Sequence, residues 1–127
     1  MIAVAQPLAN VMASIKNADE FSYAIRDYAD RFHEDPQSSL LETTPALLEP
    51  TLQDGGVADA WIASAAAYLA ETHGLPTPLW TRGAARCLPK PWFAAKTPNL
   101  KAILLQESPA AFRVRNLFVS ANALSRA

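Results

Sequence analysis

The placement of proline constrains this chain more than any other sequence feature, because proline lacks an amide hydrogen and disrupts helix and sheet interiors. Ten of the 127 residues are proline, and five of them lie within residues 76–98. The same stretch contains Trp80, Trp92 and Phe93. It therefore predicts an irregular connector, with one short turn around residues 83–88, that its aromatic side chains hold onto the rest of the protein.

Two helices are predicted before the connector from apolar residues at helical spacing. The first covers about residues 7–17, and its apolar stripe is Leu8, Val11, Met12 and Ile15. The second begins at an N-cap, Asp19, and ends at Pro36; its apolar face is Phe21, Ile25, Tyr28 and Phe32. Together they predict a helical hairpin.

The strongest helix signal covers about residues 57–73. Seven alanines lie between positions 58 and 70, and alanine both favours the helix and lets neighbouring elements approach closely. Gly74 and Pro76 are typical of the residues that follow a helix C-terminus. The buried face is expected to consist of Ala58, Trp61, Ile62, Ala65, Tyr68, Leu69 and Thr72.

Two further helix starts are predicted after the connector. Thr97-Pro98 reads as N-cap and first residue of a helix, and Ser108-Pro109 repeats that signal. The stripe of the earlier helix is Leu100, Ile103 and Leu104. A short apolar run over residues 117–119 fits an extended segment, and Ser120 fits the cap of a last turn.

These elements predict one all-α domain over residues 1–127: a compact bundle of about five helices with an ordered Pro/Trp-rich loop. Half of the residues are hydrophobic and 18% are charged, which is enough apolar surface for a core. Residues 36–56 are expected to be looser, because three prolines interrupt them. The pairs Leu40-Leu41 and Leu47-Leu48 should pin that stretch to the core.

Composition argues against several classes of function. A single cysteine, Cys87, excludes an internal disulfide and a zinc site built on cysteine pairs. The first positive charge is Lys16 and no run of 18 apolar residues occurs, so neither a secretory signal nor a membrane span is predicted. Four glycines and no Gly-x-Ser-x-Gly motif leave no phosphate loop or nucleophile elbow. We expect a cytoplasmic, non-enzymatic protein without cofactor or metal.

The formal net charge of −1 hides a strong asymmetry between the two parts of the chain. Residues 1–75 carry three basic and eleven acidic side chains, whereas residues 76–127 carry eight basic side chains and one acidic. The two parts either neutralise each other within the fold, or present a basic surface to an acidic partner or nucleic acid, or drive self-association.

Cations and aromatic rings interleave in the connector, as in proteins that bind single-stranded nucleic acid. The residues are Trp80, Arg82, Arg86, Lys90, Trp92 and Lys96. Arg113 and Arg115 would share one face of a strand and could clamp a phosphate or carboxylate. The alternative is that the rings are buried and the cations are solvated.

A helix-turn-helix over residues 97–119 would need its turn at Ser108-Pro109.

Three weaker candidates each have a simpler structural explanation. Asp27, Asp30, Glu34 and Asp35 could bind a divalent cation, but a solvated helix face explains them equally. Cys87 could meet His33 or His73, although lone cysteines are usually buried apolar residues. The uncharged residues 1–15 could receive a partner helix, or pack within the fold.

Residues 57–127 also resemble a group of short, uncharacterised bacterial proteins. The resemblance lies in Ala60-Trp61, Gly74-Leu75-Pro76, Trp80, Pro91-Trp92-Phe93, residues 107–112 and Phe118-Val119. Such proteins are often encoded beside a second small gene, in arrangements that resemble toxin–antitoxin pairs. The resemblance implies a protein-binding, antitoxin-like role and carries no catalytic residues over to this chain.

The sequence therefore predicts a non-enzymatic protein-binding or regulatory domain whose contact surface runs from Arg82 to Arg115. The expected contact residues are Trp80, Arg82, Arg86, Lys90, Trp92, Arg113 and Arg115. The partner would be another protein or a second copy of the chain. The alternative is a nucleic-acid-binding module that uses the basic C-terminal part.

Overall fold

The computed structural model describes residues 6–52 and 55–124 of the chain. Residues 1–5, 53–54 and 125–127, which some of the predictions above include, lie outside this range. In chain order the elements are α1 (Leu8–Ala13), α2 (Ala18–Glu34), α3 (Ser39–Glu42), α4 (Gly55–Thr72), two 3₁₀ turns (Leu79–Arg82 and Ala84–Arg86), β1 (Trp92–Phe93), α5 (Pro98–Glu107), α6 (Ala110–Arg113) and β2 (Leu117–Phe118). The predicted all-α class is confirmed, since each strand has two residues.

Helix α4 lies at the centre of the fold, and it is buried on nearly every side. Ala60, Ile62, Ala63, Ala66 and Ala70 have no exposed surface. Such all-round burial is possible because alanine is small and apolar, so neighbouring elements can approach the helix from several directions. The predicted helix is confirmed, and its burial extends beyond the single face that the periodicity indicates. On that face, however, Thr72 is exposed and Trp61 and Tyr68 are half-buried.

Helices α1 and α2 pack together as predicted, but α2 begins differently. The N-cap is Asn17, whose side chain accepts a hydrogen bond from the Glu20 amide at 2.9 Å. The Glu20 carboxylate in turn accepts a bond from the Lys16 amide at 2.9 Å. Asp19 is therefore not the cap; it lies in the first turn, where a negative charge favours the positive end of the helix dipole. Leu8 and Met12 of α1 are fully buried, so this helix packs within the fold.

The proline-interrupted stretch before α4 is pinned to the core in its described part, residues 36–52. Leu40 and Leu41 of α3 are buried, and so are Pro45, Leu48 and Leu52. Leu47, by contrast, is 42% exposed, so only one member of the second leucine pair contributes to the core.

Helix α5 departs from the sequence prediction in its packing. Thr97 and Pro98 start it as expected, but of the predicted stripe only Leu104 is buried. Leu100 and Ile103 are each about half exposed, at 48% and 50%. The described chain places little against this side of α5, because the helix lies beside the short strand β2 and not beside a second long helix.

The Ser108-Pro109 pair also acts differently from the prediction. Pro109, not Ser108, is the N-cap of α6, and this helix has four residues. The buried Ser108 hydroxyl donates to the Leu104 carbonyl at 2.6 Å and accepts from the Val119 amide at 2.8 Å, so it joins α5 to the chain after β2. A single helical turn is too short to serve as a recognition helix, so residues 97–119 do not form the helix-turn-helix that the sequence left open.

Strands β1 and β2 pair in parallel, with Trp92 opposite Leu117 and Phe93 opposite Phe118. The Phe93 and Phe118 rings stack with their centroids 4.9 Å apart. Asn116, just before β2, has a φ of 65° and donates its side-chain amide to the Leu88 carbonyl at 2.7 Å. Asparagine tolerates this left-handed backbone conformation better than most residues. These bonds attach the end of the connector to the last segment of the described chain.

Within residues 6–52 and 55–124, no helix combines the length and the apolar character that crossing a membrane would need.

Because Tyr28 is buried, the stability of this core should fall at alkaline pH. Burial raises the pKa of its phenol well above the usual value of 10.0, while its hydroxyl donates to the Leu40 carbonyl at 3.3 Å. The unfolded chain therefore releases this proton more readily, and the free energy of unfolding should fall as pH rises above about 10. Tyr28→Phe should flatten that fall in urea unfolding measured at pH 8 and pH 11. Tyr23→Phe, at a side chain 65% exposed, is the control; an unchanged slope in Tyr28→Phe would contradict the assignment.

Candidate functional site

The connector is fixed to the fold by buried arginines. Arg86, only 3% exposed, donates a hydrogen bond from Nη2 to the carbonyl of Pro45. Its guanidinium carbon lies 5.1 Å from the centroid of the Trp80 ring, a cation–π distance. The Trp80 indole donates in turn to the Leu41 carbonyl at 2.8 Å. Arg86 and Trp80 therefore attach the two 3₁₀ turns to residues 41–45.

Asp59, which is 1% exposed, provides the negative charge beside Arg86. One carboxylate oxygen accepts from the Leu48 amide at 2.6 Å, and the other accepts from the Glu49 amide at 3.1 Å. Nη1 of Arg86 lies 3.8 Å from Asp59 and has no hydrogen-bond partner within the described chain, so the pair attracts through charge rather than through a hydrogen bond. Burial lowers the pKa of Arg86, and the Asp59 carboxylate opposes that effect.

Arg115, which is 7% exposed, fixes the other side of the connector. Its Nε and Nη2 both donate to the Thr81 carbonyl, at 3.0 and 2.9 Å, and Nη1 donates to the Ala111 carbonyl at 2.6 Å. The planar guanidinium of Arg115 thus binds backbone carbonyl oxygens, whereas arginine often pairs in this way with a carboxylate. Burial lowers the pKa of Arg115; nearby Cys87 and Glu71 oppose this effect, and the Arg82 cation adds to it. The first 3₁₀ turn is thereby held against the end of α6.

These hydrogen bonds show that the predicted partner-binding residues fall into a buried group and an exposed group. Arg86 and Arg115 are buried and committed to internal partners, so the prediction that they face a binding partner is corrected. Trp80 and Trp92 are half-buried, and both pack against the core. Arg82, Lys90 and Arg113 are exposed, and Arg113 also donates to the Ser108 carbonyl at 2.7 Å. Arg113 and Arg115 therefore contact different groups and do not form a clamp.

Two exposed apolar side chains accompany the exposed Arg82 and Arg113. Leu79 is 81% exposed and Val114 is 69% exposed. The Arg115 bonds to Thr81 bring the turn that carries Leu79 and Arg82 against the end of α6, where Arg113 and Val114 lie. We call Leu79, Arg82, Arg113 and Val114 the loop face; it combines two exposed apolar side chains with two exposed arginines.

Trp92 lines a cavity of about 310 Å³, here called the aromatic cavity. It lies between α2, the first turns of α4 and the end of β1. Among the described residues, its lining is apolar apart from Ser22 and Arg26, and includes Phe21, Ile25, Trp61 and Trp92. The Nε of Arg26 donates to the Ala123 carbonyl at 3.3 Å.

The two histidines, forty residues apart in sequence, meet in the fold. Nδ1 of His33 lies 2.7 Å from Nε2 of His73, so one ring donates and the other accepts. His33 also borders a second cavity of about 300 Å³, together with Asp30, Tyr68 and Phe112. The described residues contain no group of three or more side chains able to hold a metal ion. The two histidines thus join the ends of α2 and α4 by one hydrogen bond.

The remaining acidic and thiol candidates have simpler explanations. Asp27 pairs with Arg31 at 2.9 Å on the outside of α2. Cys87 meets neither histidine, because each histidine contacts the other; it is exposed rather than buried as expected of a lone cysteine, and its sulfur lies 3.8 Å from the Val114 carbonyl.

Sequence reasoning missed Asp59 and the histidine pair. Asp59 had a detectable signal, because it is the single charged residue among the alanines of α4 before Glu71. The histidine pair had none, since contact between residues 33 and 73 depends on how α2 crosses α4.

Comparisons of the chain with protein-family models, with curated proteins and with solved structures found no match. The site is therefore interpreted from its own geometry.

Removing the buried carboxylate tests the attachment of the connector. Asp59→Ala leaves the Arg86 cation buried beside no counter-charge and frees two amides, so the free energy of unfolding should fall by about 3–5 kcal/mol in urea titrations. Glu42→Ala, at an exposed acid of α3, should change it by less than about 0.5 kcal/mol. In the double variant Asp59→Ala/Arg86→Met, part of the loss should return; equal losses in the single and double variants would contradict a charge pair.

Proposed function

We propose that this chain is a non-enzymatic protein-binding domain that meets an acidic, partly apolar partner surface through the loop face. The observation that carries the proposal is the exposure of Leu79 and Val114, at 81% and 69%, beside exposed Arg82 and Arg113. Protein interfaces combine apolar contact area with arginine, which is enriched in them relative to the rest of the protein surface.

The rigidity of the connector supports the same function. Arg86 and Arg115 bind backbone carbonyls on both sides of the two 3₁₀ turns. A surface that is already held in place loses less conformational entropy when a partner binds it. The loop face is therefore suited to binding without rearrangement.

The charge of the chain supports an acidic partner. Residues 76–127 carry eight basic side chains and one acidic, and Arg82 and Arg113 present part of that charge at the surface. A basic field raises the association rate with an acidic protein more than it raises affinity. The resemblance of residues 57–127 to short bacterial proteins of two-gene arrangements favours an antitoxin-like role, with the neighbouring gene product as partner.

The positions of the tryptophans favour a protein partner over single-stranded nucleic acid. Bases stack on open ring faces. The Trp80 ring, however, lies beside the Arg86 guanidinium and its indole nitrogen is bonded to Leu41. Trp92 is half-buried, within a strand. The proposal therefore rests on the loop face and not on aromatic stacking.

The first test is recovery of the partner from cells of the source organism with the tagged chain, after nuclease treatment. A protein retained at stoichiometric yield should be lost from the variant Leu79→Asp/Val114→Asp, because a buried apolar contact is replaced by charge. Tyr23→Asp, at a side chain 65% exposed on α2, should retain it. Recovery of nucleic acid alone, or of a second copy of the chain alone, would contradict the proposal.

With the purified partner, the charge contribution can be measured separately. Arg82→Glu/Arg113→Glu should lower the association rate constant by about tenfold or more at low salt, and the difference should shrink as salt screens the field. The matched control is Lys16→Glu, which reverses an exposed positive charge before α2, outside the loop face. Equal association rates for the double variant and the control would show that the loop face is not the contact surface.

A further inference from the structure

We propose that the aromatic cavity binds a small planar apolar molecule that carries one carboxylate group. This inference is independent of the proposed function, because it uses residues outside the loop face. It rests on three properties of the cavity: its size, its lining and the position of its polar groups.

The size of the cavity sets the class of ligand. At about 310 Å³ it lies at the lower end of the range for small-molecule sites, roughly 300–1,000 Å³. That volume suits one or two fused rings and is too small for a nucleotide cofactor. The ligand must therefore be small.

The lining favours an apolar ligand over water. Phe21, Trp61 and Trp92 supply aromatic surface, and Ile25 supplies aliphatic surface. A water molecule held in a cavity needs two to four polar partners, and most of this lining offers none. A flat apolar molecule can replace such poorly bonded water and stack on the exposed parts of the rings.

The polar groups lie at one edge of the cavity and belong to one helix. Ser22 and Arg26 are one turn apart on α2, and both are exposed. Arg26 is the one charged residue among the described residues that line the cavity; its Nε donates to the carbonyl of Ala123, which borders the second cavity. A carboxylate on the ligand would meet this cation and the Ser22 hydroxyl while its rings fill the apolar part.

The probe for this site is 2-naphthoate, followed by the indole N–H signals in NMR spectra of the full chain. Trp61 and Trp92 line the cavity, whereas the indole of Trp80 is bonded to the Leu41 carbonyl and serves as an internal reference. We expect the first two signals to shift with a Kd on the order of 100 µM, while the Trp80 signal stays in place. The uncharged analogue 2-naphthamide should bind about tenfold more weakly.

Two variants and one control complete the test. Ser22→Phe places a ring in the mouth of the cavity and should abolish binding. Arg26→Gln should weaken 2-naphthoate about tenfold and leave the two probes with equal affinity. Arg31→Gln removes another exposed arginine of α2, outside the cavity lining, and should change nothing. The proposal is overturned if 2-naphthoate shifts neither Trp61 nor Trp92, or if both probes bind the unmodified chain equally well.

Discussion

The buried carboxylate of Asp59 is the contact on which the arrangement of this protein depends. It lies on the central helix α4, accepts hydrogen bonds from the backbone amides of residues 48 and 49, and faces the Arg86 cation. A carboxylate this far from water is stable only when hydrogen bonds and an opposite charge compensate for lost hydration. Three separate segments of the chain must therefore assemble together around this one side chain.

This contact also explains part of the charge asymmetry in the sequence. Arg86 belongs to the basic part of the chain and Asp59 to the acidic part, so one pair of opposite charges is neutralised inside the fold. Arg115 is buried as well, but its guanidinium donates hydrogen bonds to backbone carbonyl oxygens and not to a carboxylate. The basic part therefore presents fewer cations to solvent than its composition implies. Among the described residues, the field that a partner meets comes from exposed Arg82, Lys90, Lys96 and Arg113 and from half-buried Lys101.

Sequence patterns predicted the elements of this fold better than the roles of its polar residues. Helix α4 and the start of α5 could be located because alanine, Thr97 and Pro98 act through local backbone preferences. The burial of Arg86 and Arg115 could not be predicted, since their partners are carbonyl oxygens, which every residue has. A guanidinium in a connector looks the same in sequence whether it faces a partner protein or a backbone.

The alanine content of α4 explains why both candidate sites lie at the edge of the core. Because Ala60, Ala63 and Ala66 occupy little volume, neighbouring elements approach α4 closely, and of the rings at this helix Phe112 is buried whereas Trp61 is only half-buried. Trp61 and Trp92 both line the aromatic cavity. The same close packing leaves the connector on the surface, where fixed backbone contacts keep its exposed side chains in one arrangement.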